Sequence, residues 1–428
     1  MGVIEESIKD LKAFNAINRQ NYVRKLLDFY NGNDIADYIE GYFSGDAFKE
    51  IPPYETNFVN RFINKFSRIY TIGATRSAGD RYNALTVTKN ARMKHIERMT
   101  RLLGTIATHI VWKGDRFEYR PIYYFNPIFG DDPFDPVAVT YPVMGFTEDA
   151  SITNPERFMY WDSEIWSLRD GNSNVLDEKE HGYGKLPFVF THREAQTDGF
   201  FVEGANSLIN ANEHINILLT ELLLGERYQM FGQPVLKGAT LPNKMRVGSD
   251  TTLEIPEDAD YSVVSPAGDV LNAIEVAKFL IELEAQNNHL WVSWSEQGGE
   301  VPSGISLMIK DLERTEDYED ELDVWKIHEQ DMYSAEKAIA KAHGISLPGS
   351  LGLDFNEPEY PKTVQDQILW DKHRLELNLT NEVDLLVEYN KDLTKEEADA
   401  KIKENKSRNK KLSVFEKVRE QSKGTSQV

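Results

Sequence analysis

Some forty residues, from about Ser303 to His343, read as one unbroken helix, and this length constrains the fold more than any other feature of the chain. At 1.5 Å per residue such a rod is roughly 60 Å long, so it must run past several packing partners. Ile305, Met308, Leu312, Leu322, Trp325, Met332 and Ile339 keep a helical stripe along it, and Gly344 ends it. The stretch DLERTEDYEDELD, from Asp311, sets eight acids against one Arg on the same rod. One side is therefore expected to pack and the other to present a strong negative charge. Directly before the rod lies SWSEQGGEVPSG, from Ser293. Gly298 and Gly299 admit positive φ values, Pro302 marks where pliability ends, and Ser303 can cap the helix.

The 428 residues suffice for two or three domains or one elongated protomer, and 40% hydrophobic content with 11% aromatics supports packed cores. Cysteine is absent, which excludes a disulfide framework, thiolate zinc sites and a cysteine nucleophile. A net charge of −22 opposes tight binding of nucleic acid or anionic membrane. It would, however, suit a protein that must touch DNA without gripping it. No signal peptide and no eighteen-residue apolar run are visible, so neither secretion nor membrane insertion is expected. The Met1-Gly2 start is a poor myristoylation match, because Ser7 lies one place beyond the preferred position.

Along the chain, residues 1 to 50 read as short helices, one of them closed by Asn31-Gly32-Asn33. ETNFVNRFINKFSRIYTIG places Phe58, Phe62, Phe66 and Tyr70 four residues apart, predicting one amphipathic helix through Tyr70. From about Thr105 to Phe190 aromatic and β-branched runs alternate with Gly, Pro, Asn and Asp, which predicts a sheet-rich region. Helix returns at Glu203, with Leu208, Ala211, Ile215, Leu218, Leu222 and Leu223 as its stripe. A short interlude from Phe231 to Gly268 carries strands at Gln233–Leu236, Thr252–Ile255 and Tyr261–Val264. Another helix runs from Asp269 to about Trp294. Beyond Pro348 further helices lead to a basic tail, Lys401 to Arg419, with eight Lys or Arg against two acids; the last dozen residues read as disordered. No internal repeat is apparent. The pattern is α+β and mainly helical.

Catalytic motifs are sparse. There is no Walker loop, since Gly184-Lys185 is followed by Leu186 and Gly298-Gly299 follows a helix and lacks the Lys-Ser/Thr. The nine histidines include no pair at helical metal-ligand spacing. Asp131, Asp132 and Asp135 form an acidic loop better read as a solvated turn than as a cation site. Asp162 and Glu164 sit between aromatics as in a sugar hydrolase. A single amphipathic strand from Tyr160 to Trp166 explains them more simply. No enzyme, metal or cofactor is expected; a carbohydrate-active hydrolase stands only as a third reading, behind a structural adaptor or scaffold.

The order of parts resembles that of the portal proteins of tailed bacteriophages. Two stretches carry the resemblance: PSGISLMIKDLERTEDYEDEL, at the junction of loop and rod, and LNLTNEVDLLVEYNKDLTKEEADAKI near the C-terminus. ETNFVNRFINKFSRIYTIG and GKLPFVFTHRE fit more loosely. The resemblance implies a wing (residues 1–202), stem helices (203–230 and 269–294) flanking a clip (231–268), and a tunnel loop (295–302). A long helix (303–345) and a crown with its tail (346–428) complete the order. It implies a twelve-subunit ring at one capsid vertex of the virion, assembled in the host cytoplasm, through which double-stranded DNA is packaged and ejected. Glu296, Gln297, Gly298, Gly299, Glu300 and Val301 would face DNA, with Pro302, Ser303 and Gly304 as the loop's anchor. Lys237, Lys244 and Arg246 in the clip would dock the terminase large subunit and then a head-tail adaptor or tail protein. Major capsid and scaffold proteins would be further partners, with no membrane involved.

Overall fold

The computed structural model describes residues 2–12, 19–43, 51–143, 156–231, 233–237, 260–264, 270–287, 312–356, 364–390 and 393–424. The fold is α+β. Described residues up to 356 form one compact unit and residues 364–424 a second.

The first unit opens with helices α1 (Val3–Lys12), α2 (Arg19–Asn31) and α3 (Ile35–Glu40), then α4 (Val59–Phe66). Gly32, at φ +74°, turns the chain out of α2. The helix predicted to reach Tyr70 stops at Ser67, because the backbone N–H groups of Ile69 and Tyr70 are taken by the Glu97 carboxylate at 2.8 and 3.0 Å. Tyr70 is still buried, but from a turn. Strand β1 (Ala74–Ser77) and helices α5 (Asp80–Leu85) and α6 (Lys89–Leu103) follow.

The sheet-rich region resolves into two antiparallel sheets. One has three strands in the order β3-β2-β9: β2 (Thr105–Trp112), β3 (Phe117–Ile122) and β9 (Phe188–His192). The other is a five-stranded meander: β4 (Asn126–Phe129), β5 (Pro136–Val143), β6 (Arg157–Trp161), β7 (Ile165–Asp170) and β8 (Val175–Glu180). The run TIATHIVW of β2 is apolar on alternate residues in both phases because it is covered on both faces. Ile106 and Ile110 enter the main helical core, while Ala107 joins Phe125, Val139, Trp161 and Phe188 in a second cluster. On that second face the His109 ring stacks on Phe188, 4.4 Å between centroids and 9° from parallel. Burial, and then neighbouring Arg120 and His181, push the His109 pKa down to about 3, so the ring packs as a neutral aromatic.

The segment from Tyr160 to Trp166, expected as one strand, is a hairpin. Asp162 Oδ1 accepts the N–H groups of Glu164 and Ile165 at 2.7 and 2.8 Å, and its Oδ2 accepts the Tyr160 hydroxyl at 2.9 Å. Trp161 and Trp166 are cross-strand partners rather than residues of one strand. In the acidic loop, Asp132 Oδ1 accepts the Phe134 N–H at 2.8 Å, an Asx-type turn.

Helix α7 (Asn206–Phe231) and helix α8 (Val270–Asn287) pack on each other, and the antiparallel strands β10 (Gln233–Lys237) and β11 (Asp260–Val264) lie between them in sequence. The stripe on α7 differs from expectation. Leu208 and Ile215 are buried, but Leu223 is exposed, and Asn212, Asn216 and Thr220 are fully buried instead. These three, four residues apart, bond the backbone of the extended segment before α4. Asn212 accepts Phe58 N–H (3.1 Å), Asn216 accepts Thr56 N–H (2.7 Å) and Thr220 accepts Tyr54 N–H (3.0 Å). The long helix α9 (Leu312–Ala342) and β12 (Gly352–Phe355), paired with β1, complete the unit.

The second unit holds α10 (Val364–Glu376), α11 (Glu382–Tyr389) and α12 (Lys395–Gly424). Asn381 caps α11 through its side chain, which accepts Asp384 N–H, and Thr394 with Glu397 forms a capping box at the start of α12.

Two glycines fix how the end of α6 meets the approach to α7. Gly104 has φ +78°, and a Cβ there would lie 2.1 Å from Val202 O; a Cβ on Gly204 would lie 2.1 Å from Leu102 O. Both obstacles are backbone, so neither can swing aside. Gly182 has a similar φ, +68°, with nothing within 4 Å of its would-be Cβ. Gly182→Ala should therefore cost about 1 kcal/mol, the left-handed strain alone. Gly104→Ala should cost at least about 3 kcal/mol, because displacement of the crossing segment Val202–Glu203 adds to that strain. Urea unfolding of the two variants side by side measures the difference.

Candidate functional site

The rod is the natural place to look for function, and its seating is the most polar part of the core. Its packed face carries Trp325, Met332 and Ile339 as the sequence predicts, but Glu329 and Glu336 share that face and are fully buried. Glu329 is four residues beyond Trp325 and Glu336 four beyond Met332, so helical geometry places both carboxylates in the apolar stripe.

Lys89, at the start of α6 and fully buried, bridges them: Nζ lies 3.0 Å from Glu329 and 2.8 Å from Glu336. Arg76 on β1 donates Nε to Glu329 at 3.0 Å and closes a second contact through Nη2. Three tyrosines complete the carboxylates' shells. Tyr70 donates to Glu329 at 2.8 Å, and Tyr82 and Tyr119 donate to Glu336 at 2.7 and 2.5 Å. Burial, together with these carboxylates, pushes the ionisation of all three phenols upward, which keeps them as donors. Burial alone would raise Glu329, but Lys89 and Arg76 with their hydrogen bonds hold it down at about 2. Two cations thus meet two anions in a core without exposed members except the edge of Arg76.

The network fixes the helix in register. A slide by one turn in either direction would present Trp325 and Met332, or Tyr333 and Ala340, where the carboxylates now stand. A slide by seven residues restores one carboxylate but brings Leu322 or His343 to the other place. No slide of one or two turns satisfies Lys89 and Arg76 twice.

On the outer side, Glu319, Asp320 and Asp323 are exposed, Asp323 with Lys326 as a pair at 2.8 Å. Glu321 instead turns to Arg101 on α6. From Tyr318 to Asp323 the rod has the packed side and the anionic side that its sequence implies, whereas farther along Lys326, Lys337 and Lys341 are exposed beside Asp331.

Of the other residues singled out from sequence, Glu296, Gln297, Gly298, Gly299, Glu300, Val301, Pro302, Ser303 and Gly304 lie outside the described residues, as do Lys244 and Arg246. Lys237 ends β10, exposed and paired in register with Asp260. Among the described residues, no group of three or more His, Asp or Glu is arranged to hold a metal ion. Among them, too, no helix is long and apolar enough to cross a membrane. The oxygens of Asp162 are occupied in closing a turn, a structural task unlike that of a general acid.

No protein-family model matches the chain, and no curated protein matches it. Among solved structures, it is similar to a chain from the virion of a native gene transfer agent particle, at 8% identity and a TM-score of 0.36. That likeness covers 85% of this chain and 92% of the other. It is similar also to a chain from the neck of an empty gene transfer agent particle computed with C6 symmetry, at 9% identity and a TM-score of 0.39. Here the coverage is 80% and 93%.

Lys89→Met leaves two buried carboxylates with Arg76 alone and should destabilise the protein by about 3–5 kcal/mol in urea unfolding. Adding Glu336→Met to that variant should restore at least about 1 kcal/mol, because it removes an uncompensated buried charge.

The pH profile should show two limbs. Glu329, depressed to about 2, contributes stability that is present above its unfolded pKa and lost as pH falls towards 2. Glu97 behaves oppositely: burial raises it from 4.5 to about 7, against its backbone hydrogen bonds and Arg101. Its favourable contribution is full below 4.5 and is lost as pH rises to 7, on the order of 3 kcal/mol. Glu97→Gln should flatten the limb between pH 5 and 8 and leave the acid limb in place, as read by urea midpoints across pH.

Proposed function

We propose that this chain is a non-enzymatic subunit of a portal-type ring through which double-stranded DNA passes, with the rod and the loop before it lining the conduit. The observation that carries the reading is the order and packing of the central elements. A helix, an antiparallel strand pair and a returning helix that packs on the first are followed by a long rod seated by buried ion pairs, with Glu319, Asp320 and Asp323 exposed on its outer side. The resemblance of PSGISLMIKDLERTEDYEDEL and LNLTNEVDLLVEYNKDLTKEEADAKI to portal sequences supports the same reading.

The physical logic of a conduit fits the charges. Every phosphate neutralised by Lys or Arg adds a release barrier and a steep salt dependence, so a passage for DNA works best with few cations on its wall. The stretch from Glu296 to Val301 has none, and the exposed carboxylates of α9 keep a duplex at a distance. Lys237, Lys244 and Arg246, close together in the sequence that links α7 to α8, would suit an acidic motor or adaptor surface. The virion is the place such a ring would occupy.

Negative-stain microscopy and native mass spectrometry of the purified protein should show closed rings of about twelve copies; a monomer that persists across salt concentrations overturns the reading. Replacing Gln297–Glu300 with a rigid stretch should leave ring formation intact and abolish DNA packaging. Rings that package normally with the rigid loop would point to an adaptor without a DNA-lining role for that segment.

A further inference from the structure

A cavity of about 590 Å³ opens beside the rod, within the size range of roughly 300–1,000 Å³ typical of ligand sites. It lies where the start of β5, strand β9 and the link from β9 towards α7 meet α9. Phe188 and Phe200 line it, and Phe200 stacks edge-on against Phe190 and His192, each at 5.2 Å. Two further apolar walls are open to solvent. Ile327 is 61% exposed on the rod between the buried Trp325 and His328, and Phe134 is 44% exposed inside the acidic stretch DDPFDP. Exposed apolar side chains on either of these polar surroundings have no role in the core.

The rim is anionic. Asp135, Glu194 and Asp331 line the cavity, and among the described residues none has an ion-pair partner within 4.0 Å. Among the described lining residues Lys185 is the one ammonium, and its Nζ donates to Ser334 Oγ at 2.9 Å. Burial raises the Asp331 carboxyl, Lys185 opposes the rise, and Asp135 adds to it, which places the two aspartates within electrostatic reach of each other. Burial also holds the imidazoles of His192 and His328 near 3 and 4, so neither supplies a positive charge. Among the described residues, then, the groove lacks two things: apolar surface to cover Ile327 and Phe134, and enough cationic charge to offset its rim.

We propose that this groove docks a peptide segment of another protein, one with an aromatic or branched apolar side chain flanked by Lys or Arg. The apolar anchor would enter between Phe134, Phe200 and Ile327, and the flanking cations would meet Asp135, Glu194 and Asp331. Phosphate-bearing partners are disfavoured by the same rim. The proposal stands whether or not the chain forms a ring.

Selection of a random dodecapeptide display library on the immobilised full chain, with counter-selection on Ile327→Asp, tests it. Enriched peptides should share an apolar anchor beside Lys or Arg. A fluorescein-labelled synthetic copy of the most enriched one should then be followed by anisotropy. Ile327→Asp should weaken its binding about ten-fold or more, and Asp135→Asn with Asp331→Asn should weaken it and reduce its salt dependence. Thermal melts of these variants should match the parent, since the altered side chains lie at the surface or the rim. Overturning results are no enrichment over counter-selection, enrichment of acidic or uncharged peptides, or binding indifferent to both sets of substitutions. Self-association of the unmodified chain that is abolished by Ile327→Asp, with no peptide binding, would assign the groove to a second copy and overturn the proposal as well.

Discussion

The contact of Lys89 with Glu329 and Glu336 is the interaction on which the rest of the first unit depends. It joins the start of α6 to the middle of the rod, and Arg76 adds the strand pair that includes β12. Buried ion pairs seldom add much stability over a well-packed apolar core, because desolvation consumes most of the Coulomb attraction. Their value here is positional. Four charges and three phenols form a set that a slide by one or two turns would break.

That positioning matters because the elements around the rod are themselves placed by backbone constraints that cannot adjust. Gly104 and Gly204 let two chain segments pass in backbone contact, which seats β2 directly after α6. Strand β2 is then covered on both faces, by the helical core on one side and by the aromatic cluster around Phe188 on the other. The same aromatic cluster extends to Phe200 and forms the floor of the groove beside the rod. One arrangement thus holds a helix seated by buried ion pairs and an apolar recess with an acidic rim.

Much of this architecture is legible in the sequence. The periodicity of Trp325, Met332 and Ile339, the break at Gly344 and the β-branched runs after Thr105 all act within a few residues, where local geometry decides the outcome. The two carboxylates in the stripe are also visible there, four residues after Trp325 and after Met332. A reading that sorts residues into apolar and charged assigns them to the outer side by default. The misjudged elements share one cause: a side chain distant in sequence takes the backbone's hydrogen bonds. Glu97 ends α4 early by accepting from Ile69 and Tyr70, and Asn212, Asn216 and Thr220 become buried because residues 54–58 lie against them. Asp162 is the local exception, an Asx turn hidden inside an aromatic run.

The sequence by itself determined the class of the fold, the existence of a long helix ending before Gly344, the charge contrast across its Tyr318–Asp323 stretch and the acidic balance that disfavours gripping DNA. These follow from residue spacing and composition, which need no partner. Only the tertiary structure decided which acids of the rod are buried, what neutralises them and where exposed apolar side chains gather into a groove. Those outcomes depend on Lys89, Arg76 and Phe200 arriving from elements far away along the chain, and spacing within one helix carries no record of what will be packed against it.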